Sequence, residues 1–268
     1  MLLLIFCLFL YSLVHSGSFC TVTVKVHYFS VLILLSSFLY VFFLFTGNVA
    51  YSFVVDFIRE DHNTLVELFL LFTSLIVIIY THSYNKCIGI LSFEYYTIML
   101  FCICSFCFFI HCNNIVLLYV LIELQSMCCY ILTGINRNNR FSLEAGLKYF
   151  IIGSFSSILI LFGFSFVYGL SGLTTFDDLS LFLRYLYSFT DDFSLHATLF
   201  AFIFFNIGFL FKIYASPFHF WVADIYQGSP TSVTMFLSTV PVICYIYVYI
   251  KLYICIFSDL FFFYNNIL

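Results

Sequence analysis

The chain has 268 residues, of which 64% are hydrophobic and only 8% are charged, with a formal net charge of −4. So few polar side chains cannot cover the surface of a soluble domain, and the dispersed charge gives no basis for nucleic-acid binding. The mean hydropathy of +1.12 is typical of an integral membrane protein. We interpret the 40 Phe and 21 Tyr residues as a product of T/A-rich codons and not as an aromatic binding site.

Eight apolar runs predict an all-α polytopic membrane protein. They cover residues 2–14, 28–46, 65–80, 91–110, 115–134, 145–170, 195–215 and 233–255. Most approach the ~20 residues that cross a bilayer, and a backbone in lipid must satisfy its own hydrogen bonds, so we predict helices. The first run lacks a basic flank and is predicted to be a retained spanning helix and not a signal peptide.

Two connectors are long, 47–64 and 171–194. The second contains "FDDLSLFLRYLYSF", which is apolar on one side and predicts a helix along the membrane surface. Connectors after odd-numbered runs hold Lys25, Lys86, Arg137 and Arg140, whereas those after even-numbered runs hold Arg59 and Arg184. This excess of basic residues predicts that the odd connectors face the positive compartment.

The cysteines lie mostly within apolar runs, as in "FCICSFCFF" and "MCCY". They show no Cys/His spacing typical of a metal site and no CxxC pairs beside polar loops. We therefore predict buried core thiols, no metal site and no disulfides.

The fifth run carries a polar stripe. Tyr119, Glu123, Ser126, Tyr130 and Thr133 recur at spacings of four and three, so they share one helix face. Hydroxyl groups alone would indicate hydrogen bonding between packed helices. A carboxylate in mid-membrane costs roughly 2.5–3.5 kcal/mol, however, so the stripe favours a wet or ion-conducting face.

The seventh run contains a lysine and a helix breaker in "FLFKIYASPFHFW". Pro217 cannot donate to the carbonyl of residue 213 and disfavours helical geometry at Ser216, so the helix should break just after Lys212. Free carbonyls at a helix end favour an ammonium group, and broken helices at membrane depth mark ion sites in transporters. Lys212, Ser216 and His219 share a face if the turn stays near helical. The alternative is a kinked helix whose lysine pairs with a carboxylate for structure alone.

Glu123 is the natural partner of Lys212. At ~4 Å and an effective dielectric of ~20, their attraction is roughly 4 kcal/mol. Desolvation and a nearby carboxylate act in opposite directions on the proton affinity of a buried amine. We hypothesise that the pair is an electrostatic gate for proton transfer.

Other charged and small residues have more ordinary interpretations. Lys148 follows Glu144 by one turn, so an i,i+4 pair or snorkelling explains it as well as a place in the proton pathway does. Lys251 is predicted to snorkel to the membrane surface. Close helix packing is the prediction for four residues of the sixth run: Gly146, Gly153, Ser156 and Ser157.

Three stretches, "IELQSMCCYILTG", "SLEAGLKYFIIGSFSSILILFGFSFVYGLSG" and "FKIYASPFHFWVADIYQGSPTSVTMFLSTVP", resemble the antiporter-like subunit 2 family of NADH:ubiquinone oxidoreductase, respiratory complex I. The resemblance is strong over about 113–243. It implies inverted five-helix repeats, helices 4 to 8 and 9 to 13, with a helix 5 glutamate, a helix 6 lysine and a broken helix 7 lysine. These positions are Glu123, Lys148 and Lys212, and the segment after the break contains His219 and Trp221.

The resemblance implies three regions: helices 1 to 3 in residues 1–90, one repeat in 91–255 and a tail in 256–268. It also implies proton translocation in the mitochondrial inner membrane, with the odd connectors in the matrix, among other membrane-arm subunits and lipids. FMN, iron–sulfur clusters and ubiquinone would be bound by other chains. The alternatives are a structural subunit that has lost transport and a free-standing cation/proton antiporter.

Two departures from the family pattern affect the predicted pathway. The family usually reads "PKI" on helix 8, where this chain has Pro241, Val242 and Ile243. A proton leaving Lys212 would then need water, hydroxyls such as those of Ser238 or Thr239, or a group from elsewhere. Pro241 is predicted to break the helix. Lys251 lies nine residues beyond Val242, on the opposite face. The second departure is that the sequence ends after helix 8, so we expect a second chain to carry helices 9 to 14.

Overall fold

The computed structural model describes residues 19–46, 56–57, 60–89, 92–188 and 192–256. Within these ranges the chain is helical and contains no strand. The helices are α1 (Phe19–Thr46), α2 (Asp61–Ile88), α3 (Phe93–His111), α4 (Ile115–Thr133), α5 (Arg140–Ser171), α6 (Phe176–Ser188), α7 (Asp192–Ile213), α8 (Val222–Gly228) and α9 (Thr231–Cys255). The first predicted run, 2–14, lies outside the described residues.

Seven of these helices, α1 to α5, α7 and α9, are long and apolar enough to cross a membrane. They correspond in order to the second to eighth predicted runs, which confirms the all-α polytopic class. Three basic residues assigned to connectors lie inside spanning helices instead: α1 contains Lys25, the last turn of α2 contains Lys86, and α5 begins at Arg140. A lysine stem can lie along a helix end while its ammonium reaches polar surroundings, so the helices extend past the apolar runs. Gly89 then ends α2 at φ 80°, a left-handed geometry that suits glycine.

Helix α3 lies in the middle of the bundle, where it contacts α1, α2, α4 and α9. The most extensive contact joins α5 to α7, because glycines let the two backbones approach. A Cβ atom on Gly163 would lie 2.9 Å from the Ala201 carbonyl oxygen, and one on Gly208 would lie 2.9 Å from that of Ser156. Helices α4, α5, α7 and α9 thereby surround the polar residues of the predicted site.

Three connectors meet at one end of the bundle. The Asn113 N–H donates to the Asp56 carbonyl over 2.8 Å, the Phe176 N–H donates to the Asn113 carbonyl over 3.0 Å, and the Ile115 N–H donates to the Thr174 carbonyl over 2.9 Å. We call this set of backbone bonds the connector latch. It places the connectors after the second, fourth and sixth runs together, as the predicted up-and-down order requires.

Helix α6 follows the latch directly. Phe176, Leu179 and Leu183 are buried, whereas Asp177 and Asp178 are exposed. The amphipathic helix predicted for this connector is therefore present.

The cysteines of the described residues are free, and five of them are buried: Cys102, Cys104, Cys112, Cys129 and Cys244. These five positions confirm the prediction of core thiols, whereas Cys87 is exposed.

Candidate functional site

Helix α7 ends at Ile213, directly after Lys212, as Pro217 predicts. Tyr214 then takes a left-handed conformation with φ 65°, which is unusual for a residue with a bulky side chain. The Ala215 N–H donates to the Leu210 carbonyl over 3.1 Å and closes the last turn. Eight residues, 214–221, separate the end of α7 from the start of helix α8 at Val222, so the interruption is a true break and not a kink.

Lys212 lies in the last turn of α7 with only 6% of its surface exposed. The nearest charged influence comes from α4, where Glu123 lies close enough to act on the amine electrostatically. No hydrogen bond or ion pair joins Lys212 to another of the described residues. A buried amine without a contact partner is costly to charge, so its protonation depends on the field of its surroundings.

Glu123 is half-buried, and its Oε1 atom is buried without a hydrogen-bond partner. The Tyr119 hydroxyl lies beside the carboxylate and near Ser157 of α5. No nitrogen–oxygen contact within 4.0 Å joins Glu123 to Lys212. The two groups are therefore coupled through space, and the ~4 Å approach considered from the sequence is not reached.

The polar stripe of α4 faces the protein interior. Ser126, Tyr130 and Thr133 are buried, whereas the intervening Leu124 and Ile131 are exposed. The Ser126 hydroxyl donates to the Glu123 carbonyl over 2.9 Å, and that of Thr133 donates to the Tyr130 carbonyl over 2.8 Å. These two hydroxyls bond to their own helix, so they are not the interhelical contacts that the structural interpretation of the stripe requires.

Gly153 of α5 makes room for Tyr130. A Cβ atom at this position would lie 2.0 Å from the Tyr130 hydroxyl oxygen. At Gly146 the corresponding atom would lie 3.3 Å from the Gly134 Cα. Both glycines are thus close-packing residues, as predicted, while Ser156 and Ser157 are buried on the same helix.

An aromatic cluster covers the break. The Trp221 ring stacks on Tyr149 of α5 at a centroid distance of 5.4 Å and meets Tyr214 edge-on at 5.0 Å. Tyr226 of α8 extends the cluster, because its ring meets that of Tyr214 edge-on at a centroid distance of 6.4 Å.

Ser216 and His219 lie apart from this cluster. Both are exposed, whereas Lys212 is buried. The shared face considered from the sequence required a near-helical turn, and the chain leaves helical geometry at Tyr214. The structure does not bring these two residues together with Lys212.

Lys148 makes the pair with Glu144 that the i,i+4 spacing predicts, with a nitrogen–oxygen distance of 2.8 Å. It also contacts Asp224 of α8 at 3.3 Å, which links α5 to the segment after the break. The lysine side chain is 45% exposed. Its position is that of a surface ion pair, separate from the buried amine.

Pro241 does not break α9, contrary to the prediction, because the helix continues from Thr231 to Cys255. The proline is buried inside the helix, which continues despite the hydrogen bond that a proline cannot donate. The Ser238 and Thr239 hydroxyls donate to the Met235 carbonyl over 3.2 Å and 2.9 Å. Both of these pathway candidates are thus bonded within their own helix.

Lys251 does not snorkel. It is buried and donates to the carbonyls of Ile110 over 3.2 Å and Cys112 over 3.0 Å. These carbonyls lie at the end of α3, where helix carbonyls lack partners and carry partial negative charge. The prediction for Lys251 was wrong because its partners lie about 140 residues away in the sequence.

Sequence reasoning also missed a polar cluster between α7 and α9. Asn206, Tyr249 and Tyr253 are half-buried and hydrogen-bonded to one another. The signal was present, because Tyr249 follows Val242 by seven residues and therefore lies near the same helix face.

Comparisons with known proteins identify the family and the fold of the chain. Residues 112–267 match the family described as NADH:quinone oxidoreductase/Mrp antiporter, transmembrane. NADH-ubiquinone oxidoreductase chain 2 of Marchantia polymorpha is 36% identical over 223 residues, which are 80% of this chain and 43% of the relative. Chain 2 of Oenothera berteroana is 40% identical over 195 residues, which are 72% of this chain and 40% of the relative.

Two solved structures share the fold. Respiratory complex I from Thermus thermophilus aligns with a TM-score of 0.72 and 22% identity, over 91% of this chain and 50% of the matched chain. The Mrp complex from Dietzia sp. aligns with a TM-score of 0.69 and 16% identity, over 88% of this chain and 45% of the matched chain. The chain thus spans less than half of the length of these curated relatives. Because the family match covers more than half of the sequence, the chain belongs to the NADH:quinone oxidoreductase/Mrp antiporter family of membrane proteins.

Proposed function

We propose that this chain is a proton-translocating membrane-arm subunit of mitochondrial complex I, which couples NADH:ubiquinone oxidoreduction to proton pumping. The observation that carries the proposal is the position of Lys212. Its amine is buried at the end of a broken helix and within electrostatic reach of Glu123, whose Oε1 atom has no hydrogen-bond partner. Buried ionisable residues at membrane depth are expensive and are found where ions or protons move.

Lys212 and Glu123 make no direct contact, and this separation suits an electrostatic gate better than a permanent ion pair would. A direct contact would hold the lysine charged, because an adjacent carboxylate strongly favours the ammonium form. With no contact inside 4.0 Å, movement of α4 or neutralisation of Glu123 changes the field at Lys212 without first breaking a salt bridge. Lys212 would then take up a proton when Glu123 is charged and near, and release it when that field weakens.

The proposal assigns the remaining chemistry to other components. FMN, iron–sulfur clusters and ubiquinone would be held by other subunits of the complex. The 91–255 region would act as one antiporter-like repeat beside helices 1 to 3, with the odd connectors in the matrix. The second repeat, expected on another polypeptide, would seal the half-buried face that includes Tyr249 and Tyr253.

A structural role without transport is the second candidate. It is favoured by Val242, which occupies the position of the family lysine. It predicts that removal of Lys212 impairs assembly and leaves the protons pumped per assembled complex unchanged.

The test compares Glu123→Gln and Lys212→Ala in the assembled complex, reconstituted into liposomes. We expect both to lower the protons pumped per NADH oxidised, with Lys212→Ala lower because it removes the proton-carrying group itself. Lys86→Ala is the control, since this lysine is exposed at the end of α2. Unchanged pumping in Glu123→Gln would contradict the gate.

Composition of the purified complex tests the second repeat. Mass spectrometry should identify a separate chain with the missing helices, bound in equal amount. A complex in which no other chain occupies that position would overturn this part of the proposal.

A further inference from the structure

Helices α7 and α9 are joined by three polar side chains at membrane depth. The Tyr249 hydroxyl lies 2.9 Å from Asn206 Oδ1, and the Tyr253 hydroxyl lies 2.7 Å from the same oxygen. The two tyrosine oxygens are 3.1 Å apart. We call Asn206, Tyr249 and Tyr253 the α7–α9 triad.

The triad lies on the face of α9 that carries Val242. Seven residues separate Val242 from Tyr249, which at 3.6 residues per turn is within about 20° of two full turns. Tyr253 follows one turn later. The triad therefore lies along the α9 face on which the family has its lysine, whereas the Lys251 side chain is directed toward α3.

On α7 the triad lies beyond Lys212, away from the break. Asn206 precedes Lys212 by six residues, or roughly 9 Å along the helix axis. The break and Lys212 are at one end of α7, and the triad leads toward the end where α7 begins. Among the described residues, the triad is the first hydrogen-bonded set between α7 and α9 on this side of Lys212, about 120° around α7 from it.

The triad has three acceptor oxygens but only two hydroxyl protons. Each tyrosine hydroxyl carries one proton and has two oxygens within hydrogen-bond distance. Tyr249 can donate to Asn206 or to Tyr253, and the two arrangements differ only in the position of a proton. The Asn206 amide does not titrate, so its oxygen positions the two hydroxyls.

We propose that Tyr249 and Tyr253, positioned by Asn206, form a hydroxyl relay that takes the place of a lysine at position 242. In each step an incoming proton binds a hydroxyl oxygen while that hydroxyl releases its own proton to the next acceptor, so charge and atoms balance without a redox partner. Water would carry the proton from Lys212 to Tyr249, and water at the end of α9 would accept the proton that Tyr253 releases. This inference rests on the proposed function, because it needs Lys212 as the proton source.

Another tyrosine of α9 makes an interhelical hydrogen bond away from the triad. The Tyr247 hydroxyl donates to Asn63 of α2 and joins two helices in the same way. Tyr247 lies five residues from Val242, which turns it about 140° away from the triad face. It is a matched control, since its loss removes an interhelical hydrogen bond from the same helix but none from the proposed route.

The experiment measures protons pumped per NADH oxidised by the assembled complex in liposomes, together with the amount of complex and its NADH oxidation rate in the presence of an uncoupler. Tyr249→Phe with Tyr253→Phe is expected to lower pumping to the level of Lys212→Ala, at normal assembly and uncoupled rate. Tyr247→Phe should pump as the unmodified complex does. Adding Val242→Lys to the double variant should restore pumping. If the double variant does not assemble, Tyr249→Phe alone, which keeps the Tyr253–Asn206 bond, is measured in its place.

Three outcomes would overturn the relay: normal pumping in the double variant, an equal loss in Tyr247→Phe, or a loss that Val242→Lys does not restore. The last two would mean that the hydroxyls hold helices together and do not carry protons. If Lys212→Ala also pumps normally, the proposed function fails with the relay. If Lys212→Ala loses pumping and the double variant does not, only the relay fails.

Discussion

Lys212 and Lys251 are both buried lysines near the ends of membrane helices, yet their surroundings differ. Lys251 donates to two carbonyls at the end of α3, at 3.0 Å and 3.2 Å. Lys212 makes no hydrogen bond or ion pair with the described residues and is influenced by Glu123 from a distance. The first amine has two backbone acceptors within hydrogen-bond distance, whereas the second has none among the described residues.

The comparison shows that burial alone does not identify a proton carrier. A buried ammonium with fixed acceptors stabilises the fold and has little reason to release its proton. A buried ammonium without them is a burden on stability, which is retained only where it serves another purpose. The hydrogen-bond partners of a buried lysine therefore indicate its role better than its burial does.

The largest expected effect comes from replacing each lysine by methionine, which keeps the length of the stem. Lys251→Met leaves two buried carbonyls without a donor, at roughly 1–3 kcal/mol each, so we expect a marked loss of assembled complex and a lower Tm. Lys212→Met should assemble normally and lose pumping. Native gels, thermal unfolding and proton pumping separate the two, and a Lys251 variant with normal assembly but no pumping would reverse the comparison.

A smaller effect should follow from crowding the polar stripe. Gly153→Ala forces Tyr130 to move, since the added Cβ would lie 2.0 Å from its hydroxyl oxygen, and such overpacking costs about 1–3 kcal/mol. We expect a lower Tm of the complex and reduced pumping, because Tyr130 lies in the stripe of Glu123. Gly169→Ala on the same helix has no atom within 4 Å of the new Cβ and should leave both unchanged. If Gly153→Ala changed the Tm and pumping no more than Gly169→Ala does, the site would tolerate movement of Tyr130.

The smallest effect is expected for the exposed lysine. Lys148→Ala removes contacts with Glu144 and Asp224, but exposed ion pairs contribute little to stability because water screens them. We expect the Tm and the protons pumped per NADH to stay within experimental error of the unmodified complex. A loss of pumping equal to that of Lys212→Ala would place Lys148 in the pathway and would extend the comparison to three lysines.

The sequence predicted the features that depend on local chemistry. The order of the spanning helices, the amphipathic α6 and the end of α7 near Pro217 follow from apolar runs and from a missing amide proton. Pro241 has the same chemistry, yet α9 continues past it. The difference arises from packing around a buried proline, and a pattern of single residues does not contain that information.

Features that depend on distant partners were predicted less well. Glu123 and Lys212 were identifiable because charges are rare in apolar runs, but their separation was not. Lys251 was misread because its acceptors lie on another helix. The α7–α9 triad was missed since tyrosine is common throughout the chain and marks no position by itself.

The connector latch and the break of α7 lie toward opposite ends of the bundle. Backbone hydrogen bonds join the connectors that contain Asp56, Asn113 and Thr174, so we expect these connectors to move together. The opposite end contains the interruption of α7 and its short successor α8. Any rocking that changes the distance between Glu123 and Lys212 would pivot about the latch, and its amplitude would grow toward the broken helix.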